Sequence, residues 1–288
     1  MTERGLDHLV VAVRDLDGAA RFYERLGFQL GARNRHPWGT ENRLVQFAGS
    51  FIELITVGRG AKVPPHGPHF FSFGAFVRDY LARREGLAML VLNSDDAVGD
   101  AAAFAAAGIG DFEPLHFERR GRRPDGSEIE LAFTLAFASD PRAPEASFFT
   151  SQQHRPENFW NAAFQKHRNG ATALAAAVLA TDAPGAHQRF FEAFTGARAE
   201  RAHERDLSVR LARGRIDAVT PDDAAELYGS VEAEPHHPSF VAFAISTPDI
   251  RDAGRVLDDG GIPYQAIGSR LVVPASVALG VAIAFEPA

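Results

Sequence analysis

Leu6-Asp7-His8-Leu9-Val10-Val11-Ala12-Val13-Arg14-Asp15 stands near the start of the chain, and its reading decides the fold. Residues 6–13 are apolar and rich in β-branched side chains, which predicts a strand. Asp15 suits a helix N-cap. Leu16, Ala19, Tyr23 and Leu26 then recur at helical spacing, and Gly27 stands where a glycine ends a helix. Residues 28–33, 44–48 and 51–57 read as three more strands. The order is strand, helix, three strands.

That order recurs along the chain. Residues 88–92 predict a strand, and 101–107 an alanine-rich helix ending at Gly108. Residues 112–117, 130–137 and 147–151 predict strands. A third unit runs from 171–180 through a helix ending at Gly196 to strands at 207–211 and 215–219. Its Arg189-Phe190-Phe191-Glu192 echoes Arg21-Phe22-Tyr23-Glu24. A fourth starts at 240–245, with Thr247 as N-cap and Pro248 in the first turn. It closes with strands near Tyr264, Leu271 and 277–285. One supersecondary unit used four times implies an α+β fold of tandem βαβββ modules. Each module leaves one sheet face uncovered, and two modules side by side could enclose those faces as a trough. The expected division is 1–168 (modules 5–58 and 86–155) and 171–288 (modules 171–222 and 238–287). Residues 58–68, 155–170 and 224–238 are the linkers.

Composition narrows the function. The 288 residues include 45% hydrophobic and 23% charged side chains, ordinary for a globular protein with a sizeable core. Thirty Lys and Arg against 37 Asp and Glu leave a net charge of −7, which disfavours nucleic acid and anionic membranes as partners. The absence of cysteine excludes disulfides, thiolate metal sites and cysteine nucleophiles, so any metal must rest on the 11 His and the acids. The N-terminal residues have no apolar signal-like core, and the most apolar window, 171–180, is too short to span a bilayer. A cytoplasmic protein is expected.

Strand phase selects the candidate site. Leu9, Val11 and Val13 share the more apolar face of the first strand, so His8 points to the open side. Ile52 and Leu54 put Glu53 on the open side of its own strand. A His and a Glu on one face suit a divalent cation, although a His–Glu hydrogen bond would satisfy both equally well. In the segment from His36 to Arg43, Trp38 offers a flat surface and Asn42 and Arg43 offer donors for substrate oxygens. A Pro/Gly turn is the competing reading of that segment. The aromatic run His69-Phe70-Phe71-Ser72-Phe73 reads as core, and His116, His167, His187 and His203 as ordinary polar residues.

The opening stretch through Asp17, with Phe22-Tyr23 and Leu26-Gly27-Phe28, resembles the vicinal oxygen chelate superfamily. That superfamily includes glyoxalase I, extradiol dioxygenases and bleomycin-resistance-type binding proteins. His36-Pro37-Trp38-Gly39-Thr40-Glu41-Asn42-Arg43-Leu44, Gln152-Gln153-His154 and Pro156-Glu157-Asn158-Phe159-Trp160 resemble its glyoxalase-like domain proteins. The resemblance implies bowls whose metal ligands come from first and last strands, here His8 and Glu53. Setting Asp95 against Asp15 puts Ala88 opposite His8, so Gln152 or His154 is left to complete the sphere. In the third module Ala175 takes the His8 place and Asp217 matches Glu53. The second half is therefore expected to be non-catalytic, its bowl filled by side chains such as Phe240 and Phe243 or closed against a partner, with a homodimer as one arrangement. The implied function is a lyase, isomerase or dioxygenase-like enzyme. A divalent metal (Zn, Ni, Fe or Mn) would chelate oxygens of a small substrate, with Glu53 as ligand, base or both. The alternatives are a small-molecule binding or sequestration protein, and a fold that only oligomerises.

Overall fold

A computed structural model describes residues 4–122, 127–229, 231 and 237–288. Four modules follow one another. The first is β1 (Leu6–Ala12), α1 (Leu16–Arg25), β2 (Asn34–Arg35), β3 (Thr40–Phe47) and β4 (Ser50–Val57). After α2 (Phe73–Arg83) come β5 (Gly86–Ser94), α3 (Ala97–Ala107), β6 (Leu115–Arg122), β7 (Glu128–Ala138) and β8 (Ser147–Gln153). The short α4 (Pro156–Phe159) leads to β9 (Ala173–Ala180), α5 (Gln188–Thr195), β10 (Arg201–Ala202), β11 (Asp206–Arg210) and β12 (Arg215–Val219). After α6 (Pro221–Tyr228) come β13 (Ser239–Thr247), α7 (Ile250–Asp259), β14 (Gln265–Ile267), β15 (Arg270–Val273) and β16 (Ala282–Pro287).

The modules pair into two eight-stranded sheets of identical topology. One runs β2-β3-β4-β1-β5-β8-β7-β6, the other β10-β11-β12-β9-β13-β16-β15-β14. In each, the first strand of a module lies parallel to its fourth and antiparallel to the first strand of the sister module. This is the α+β arrangement of two bowls expected from the repeat. Among the described residues, no helix is long and apolar enough to cross a membrane.

The outer faces of the two sheets share one core. Leu9 and Val11 of β1, Leu90 and Leu92 of β5, and Leu179 and Phe243 of the second sheet belong to a single buried cluster, together with apolar residues of α1, α3, α5 and α7. Phe148 is at its centre, with ring centroids 4.7 Å from Phe190 and 5.6 Å from Phe240. Phe240 and Phe243 thus serve the joint between halves and do not fill the second bowl. Residues 240–245 of β13 are all apolar, so alternation gave no hint of which face was which.

Three helices were absent from the sequence reading, α2, the short α4 and α6, and each follows the fourth strand of a module. Ser72 caps α2, accepting from Ala75 N at 3.2 Å, and Phe73, Val77 and Tyr80 pack into the first bowl. Thr220 caps α6, Pro221 occupies its first turn, and Ala224 and Tyr228 pack into the second. The second strand of module one is also shorter and later than expected, at Asn34–Arg35 in place of 28–33.

Candidate functional site

The first bowl brings His8, His36, Trp38, Asn42, Glu53 and Arg119 to one aromatic-walled cavity. β1 and β4 run parallel with Val10 opposite Glu53 and His8 opposite Phe51. Even-numbered β1 residues and odd-numbered β4 residues therefore face inward together. The His8 ring stacks on Phe51, centroids 4.2 Å apart and planes 13° from parallel. The β1–β5 ladder slips between Leu6 and His8, and Asp7 falls at that irregularity. Its carboxylate accepts from His8 Nδ1 at 2.6 Å, and Gln153 Nε2 donates to its other oxygen at 3.3 Å. His8 Nε2 is thereby turned toward Glu53 Oε2, 3.7 Å away.

Glu53 is buried, with Asn42 Nδ2 donating to its Oε1. The amide belongs to a relay. Arg119 Nη1 donates to Asn34 Oδ1 at 3.1 Å, and Asn34 Nδ2 donates to Asn42 Oδ1 at 3.1 Å. No Lys or Arg among the described residues lies within ion-pair distance of Glu53. Burial pushes its carboxyl above the usual range, and His8, Asn42 and Arg119 offset that only in part. His36 Nε2 lies 3.8 Å from Glu53 Oε1, and its Nδ1 pairs with Thr40 Oγ1 at 2.8 Å. Burial, helped by Arg119 and His8, pulls its pKa down to about 3, so the ring is neutral at pH 7. It stacks on Trp38 at 4.7 Å, and Trp38 meets the edge of Phe117.

The inner chamber holds about 50 Å³ of free space, and beside it lies an outer chamber of about 310 Å³. Leu44, Arg119 and Phe159 border both. Arg119 has one protein hydrogen bond among the described residues. A guanidinium carries five N–H donors, so most of its donors remain for a ligand at this junction. The outer wall includes Ile129, Leu131, Trp160 and Phe164.

His8, Glu53, Trp38 and Asn42 thus share one cavity, and three other expected residues do not reach it. Arg43 is out of phase: it pairs with Leu54, whose side chain joins the core between the halves, and its Nε donates to Gly31 O. Gln152 is spent on α3, accepting from Ala97 N at 3.1 Å and donating to Asp95 O at 2.7 Å. His154 pairs with Thr134 Oγ1 at 2.7 Å and sits against His116. The module alignment also shifts by one. The α3 N-cap is Asp96, not Asp95, so Met89 is the module counterpart of His8, and Phe149, paired with Val91, takes the place of Glu53. In module three Asp217 faces Val178, which makes Ala176, not Ala175, the counterpart of His8.

Two site residues escaped the sequence reading. His36 was visible only as part of a turn, and the β2–β3 pairing of Asn34 with Asn42 returns it to the bowl. Arg119 lies on β6 beyond the apolar stretch, where alternation with Phe117 was the sole signal.

The glyoxalase-like domain family matches residues 6–195, more than half of the sequence. The chain belongs to this family. No curated protein matches it. Among solved structures, this glyoxalase-like protein resembles a hypothetical protein from Staphylococcus aureus, with a TM-score of 0.69 at 13% identity, covering 99% of this chain and 100% of that one. It also resembles a variant of 4-hydroxymandelate synthase from Streptomyces coelicolor, with a TM-score of 0.62 at 14% identity, covering 99% and 92%. A xylose isomerase-like TIM barrel/4-hydroxyphenylpyruvate dioxygenase fusion protein gives 0.51 at 16% identity, covering 91% of this chain and 40% of that one. These likenesses establish the fold.

The resemblance to oxygen-chelating relatives implies a metal, and the donor set of this glyoxalase-like protein decides whether one fits. Asn42 Nδ2 stands between His36 Nε2, at 3.4 Å, and Glu53 Oε1. A cation joining those two would have to displace the amide. That leaves His8 Nε2 and Glu53 Oε2, and the sister-module positions are the apolar Met89 and Phe149. Among the described residues, no three His, Asp or Glu are grouped to hold a metal ion. Catalytic zinc sites use three protein ligands and structural sites four. The donors present do not fit a tightly held resident metal, and Gln152 and His154 cannot complete the set.

Proposed function

We propose that the first bowl binds a small, flat, anionic oxygenated molecule and that Glu53 exchanges a proton with it. One observation carries the reading. A buried carboxyl with no Lys or Arg within ion-pair distance among the described residues faces a cavity between His8 Nε2 and the uncommitted donors of Arg119. Burial raises the Glu53 pKa, which brings a carboxyl closer to the working pH at which it both takes and returns a proton. The Asp7–His8 pair and the Arg119–Asn34–Asn42 relay hold the groups around it in place. Arg119 supplies a fixed positive charge for oxygen that turns anionic as the proton leaves. Phe159 and Trp160 offer aromatic faces to the body of the ligand in the outer chamber. Two fold neighbours are named for aromatic oxygenated acids, 4-hydroxymandelate and 4-hydroxyphenylpyruvate, which agrees with such a ligand.

A second reading is binding without turnover, and the small inner chamber favours it, since about 50 Å³ leaves little room for a reacting group beside Glu53. One experiment separates the two. Aromatic 2-oxo and 2-hydroxy acids are incubated with the protein in D₂O, and hydrogen exchange next to the carbonyl or hydroxyl is followed by NMR against the protein-free rate. The enzyme reading expects acceleration that Glu53→Gln lowers by about 10²-fold or more, with affinity kept within a few-fold. Binding with no acceleration establishes the carrier. Acceleration that survives Glu53→Gln removes Glu53 from the chemistry.

A further inference from the structure

The second bowl encloses a cavity of about 500 Å³ bordered by Arg215, Asp217, Tyr228, Arg270 and Glu286. Its acids are fully engaged. Asp217 accepts from Ser208 Oγ at 2.7 Å and Arg215 Nε at 2.8 Å. Arg215 forks onto Glu286 at 2.8 and 3.1 Å, and Arg270 Nε donates to the same carboxylate at 3.0 Å. The lining acids Glu200, Asp217 and Glu286 are each paired with an arginine, so among the described residues this wall offers no free carboxylate to a cation, and its four arginines against three acids leave one positive charge.

Two groups remain uncommitted. Tyr228 is 2% exposed and borders the cavity, yet its hydroxyl has no hydrogen-bond partner among the described residues. Its ring lies under the Arg270 guanidinium, 5.3 Å from centroid to Cζ. Among the described residues Arg270 uses only Nε in a protein hydrogen bond, which leaves both terminal nitrogens without a partner there. The phenol hydroxyl and the guanidinium edge held over its ring both border the cavity as donors available to a ligand acceptor. The arginine edge matches a carboxylate in bidentate geometry. A dianion would meet the nearby charges of Asp217 and Glu286, whereas a single negative charge meets mainly the donors. Val219 and Leu227 on the same wall offer apolar contact to the rest of the molecule.

We infer that the second bowl binds a small monoanionic carboxylate with an apolar body, held by Arg270 and the Tyr228 hydroxyl. This site is separate from that of the first bowl and does not depend on its chemistry. It also departs from the expectation that the second half holds no ligand.

The four tyrosines, Tyr23, Tyr80, Tyr228 and Tyr264, make the test direct. Protein labelled with ¹³C at the tyrosine Cζ is titrated with sodium benzoate, and the Tyr228 signal is assigned by its loss in Tyr228→Phe. Benzoate is expected to move that signal. The midpoint rises about tenfold in Arg270→Lys, which keeps the charge and loses the fork, and stays unchanged in Arg119→Gln. Inorganic phosphate at equal concentration leaves the signal in place. The inference is overturned if benzoate leaves the Tyr228 signal unmoved, if Arg270→Lys has the wild-type midpoint, if Arg119→Gln shifts it, or if phosphate acts as strongly as benzoate.

Discussion

In the first bowl Glu53 sits on β4 opposite Val10, met by an amide and the Nε2 side of His8. In the second Asp217 sits on β12 opposite Val178, with Arg215 Nε 2.8 Å away. The module order, strand pairing and place of the acid agree, and the partners differ. The walls differ in the same sense. Phe51, Phe73, Phe133, Phe137 and Phe149 fill the first bowl, whereas Ala176, Ala180, Ala242, Ala244, Ala282 and Ala284 line the second. Large rings exclude water and leave Glu53 desolvated. Small side chains leave room for two arginines, which neutralise the acids. A carboxylate fixed in an ion pair holds its charge, and one buried among rings resists it. The same scaffold therefore leaves a desolvated acid on one side and arginine-paired acids on the other.

The comparison assumes one molecule with two differentiated bowls, and its joint is the most sensitive place to break it. Phe148→Ala removes a ring packed on Phe190, Phe191, Phe194 and Phe240. A loss of about 3–5 kcal/mol is expected in denaturant unfolding. Both tryptophans, Trp38 and Trp160, lie in the first half. Their fluorescence transition should coincide with loss of far-UV dichroism in the variant as in the parent. Two separated transitions would show that the halves are energetically independent.

A smaller effect sets the two carboxyls against each other. Burial works to raise the Glu286 carboxyl, but Arg215 and Arg270 outweigh it and hold its pKa below the usual range. Its contribution is present above the unfolded-state value and is lost as pH falls through the depressed folded value. Glu286→Gln should therefore cost about 2 kcal/mol at pH 7, with the difference fading in acid. Glu53 has the opposite sign. Its folded pKa is raised, mainly by burial, so its favourable contribution belongs to the protonated form and is lost as pH rises through the folded value. Glu53→Gln should raise the melting midpoint at pH 7 and leave it unchanged at pH 4. Equal pH profiles for the two variants would remove the contrast between the bowls.

How much of this was legible depended on one-sided patterns. β1 and β4 each carry a clear apolar face, so alternation placed His8 and Glu53 on the open side and the structure brings them to one cavity. Where both faces are apolar, as in β13, or where two neighbouring residues qualify for one role, the phase was lost. Asp95 and Asp96 could each cap α3, and choosing the first displaced the second module by one residue, enough to turn a strand over. The same ambiguity made Gln152 a site candidate, although Gln153 is the residue that reaches Asp7. Arg119 was hidden because β6 continues through Glu118-Arg119-Arg120, and a charged hairpin arm carries no burial signal of its own. The α2 signals were weaker still, because a Gly/Pro-rich segment precedes the Ser72 cap.

The smallest expected effect concerns metal. His8 Nε2 and Glu53 Oε2, 3.7 Å apart, are close enough to touch one cation, but two donors leave most of a coordination sphere to water. Such an ion exchanges readily, and a ligand that binds the native state weakly adds little stability. Protein dialysed against metal-free buffer should hold far less than one equivalent of divalent metal, and EDTA should move its melting midpoint by no more than about 1 °C. One tightly held equivalent that disappears in His8→Ala would mean that the bowl is rearranged around an ion. Asn42→Ala sharpens the point, because it removes the amide standing between His36 Nε2 and Glu53 Oε1. Three donors then face the same space, and metal affinity should rise above that of the parent. If it does not, the amide is not what keeps His36 out of a metal site.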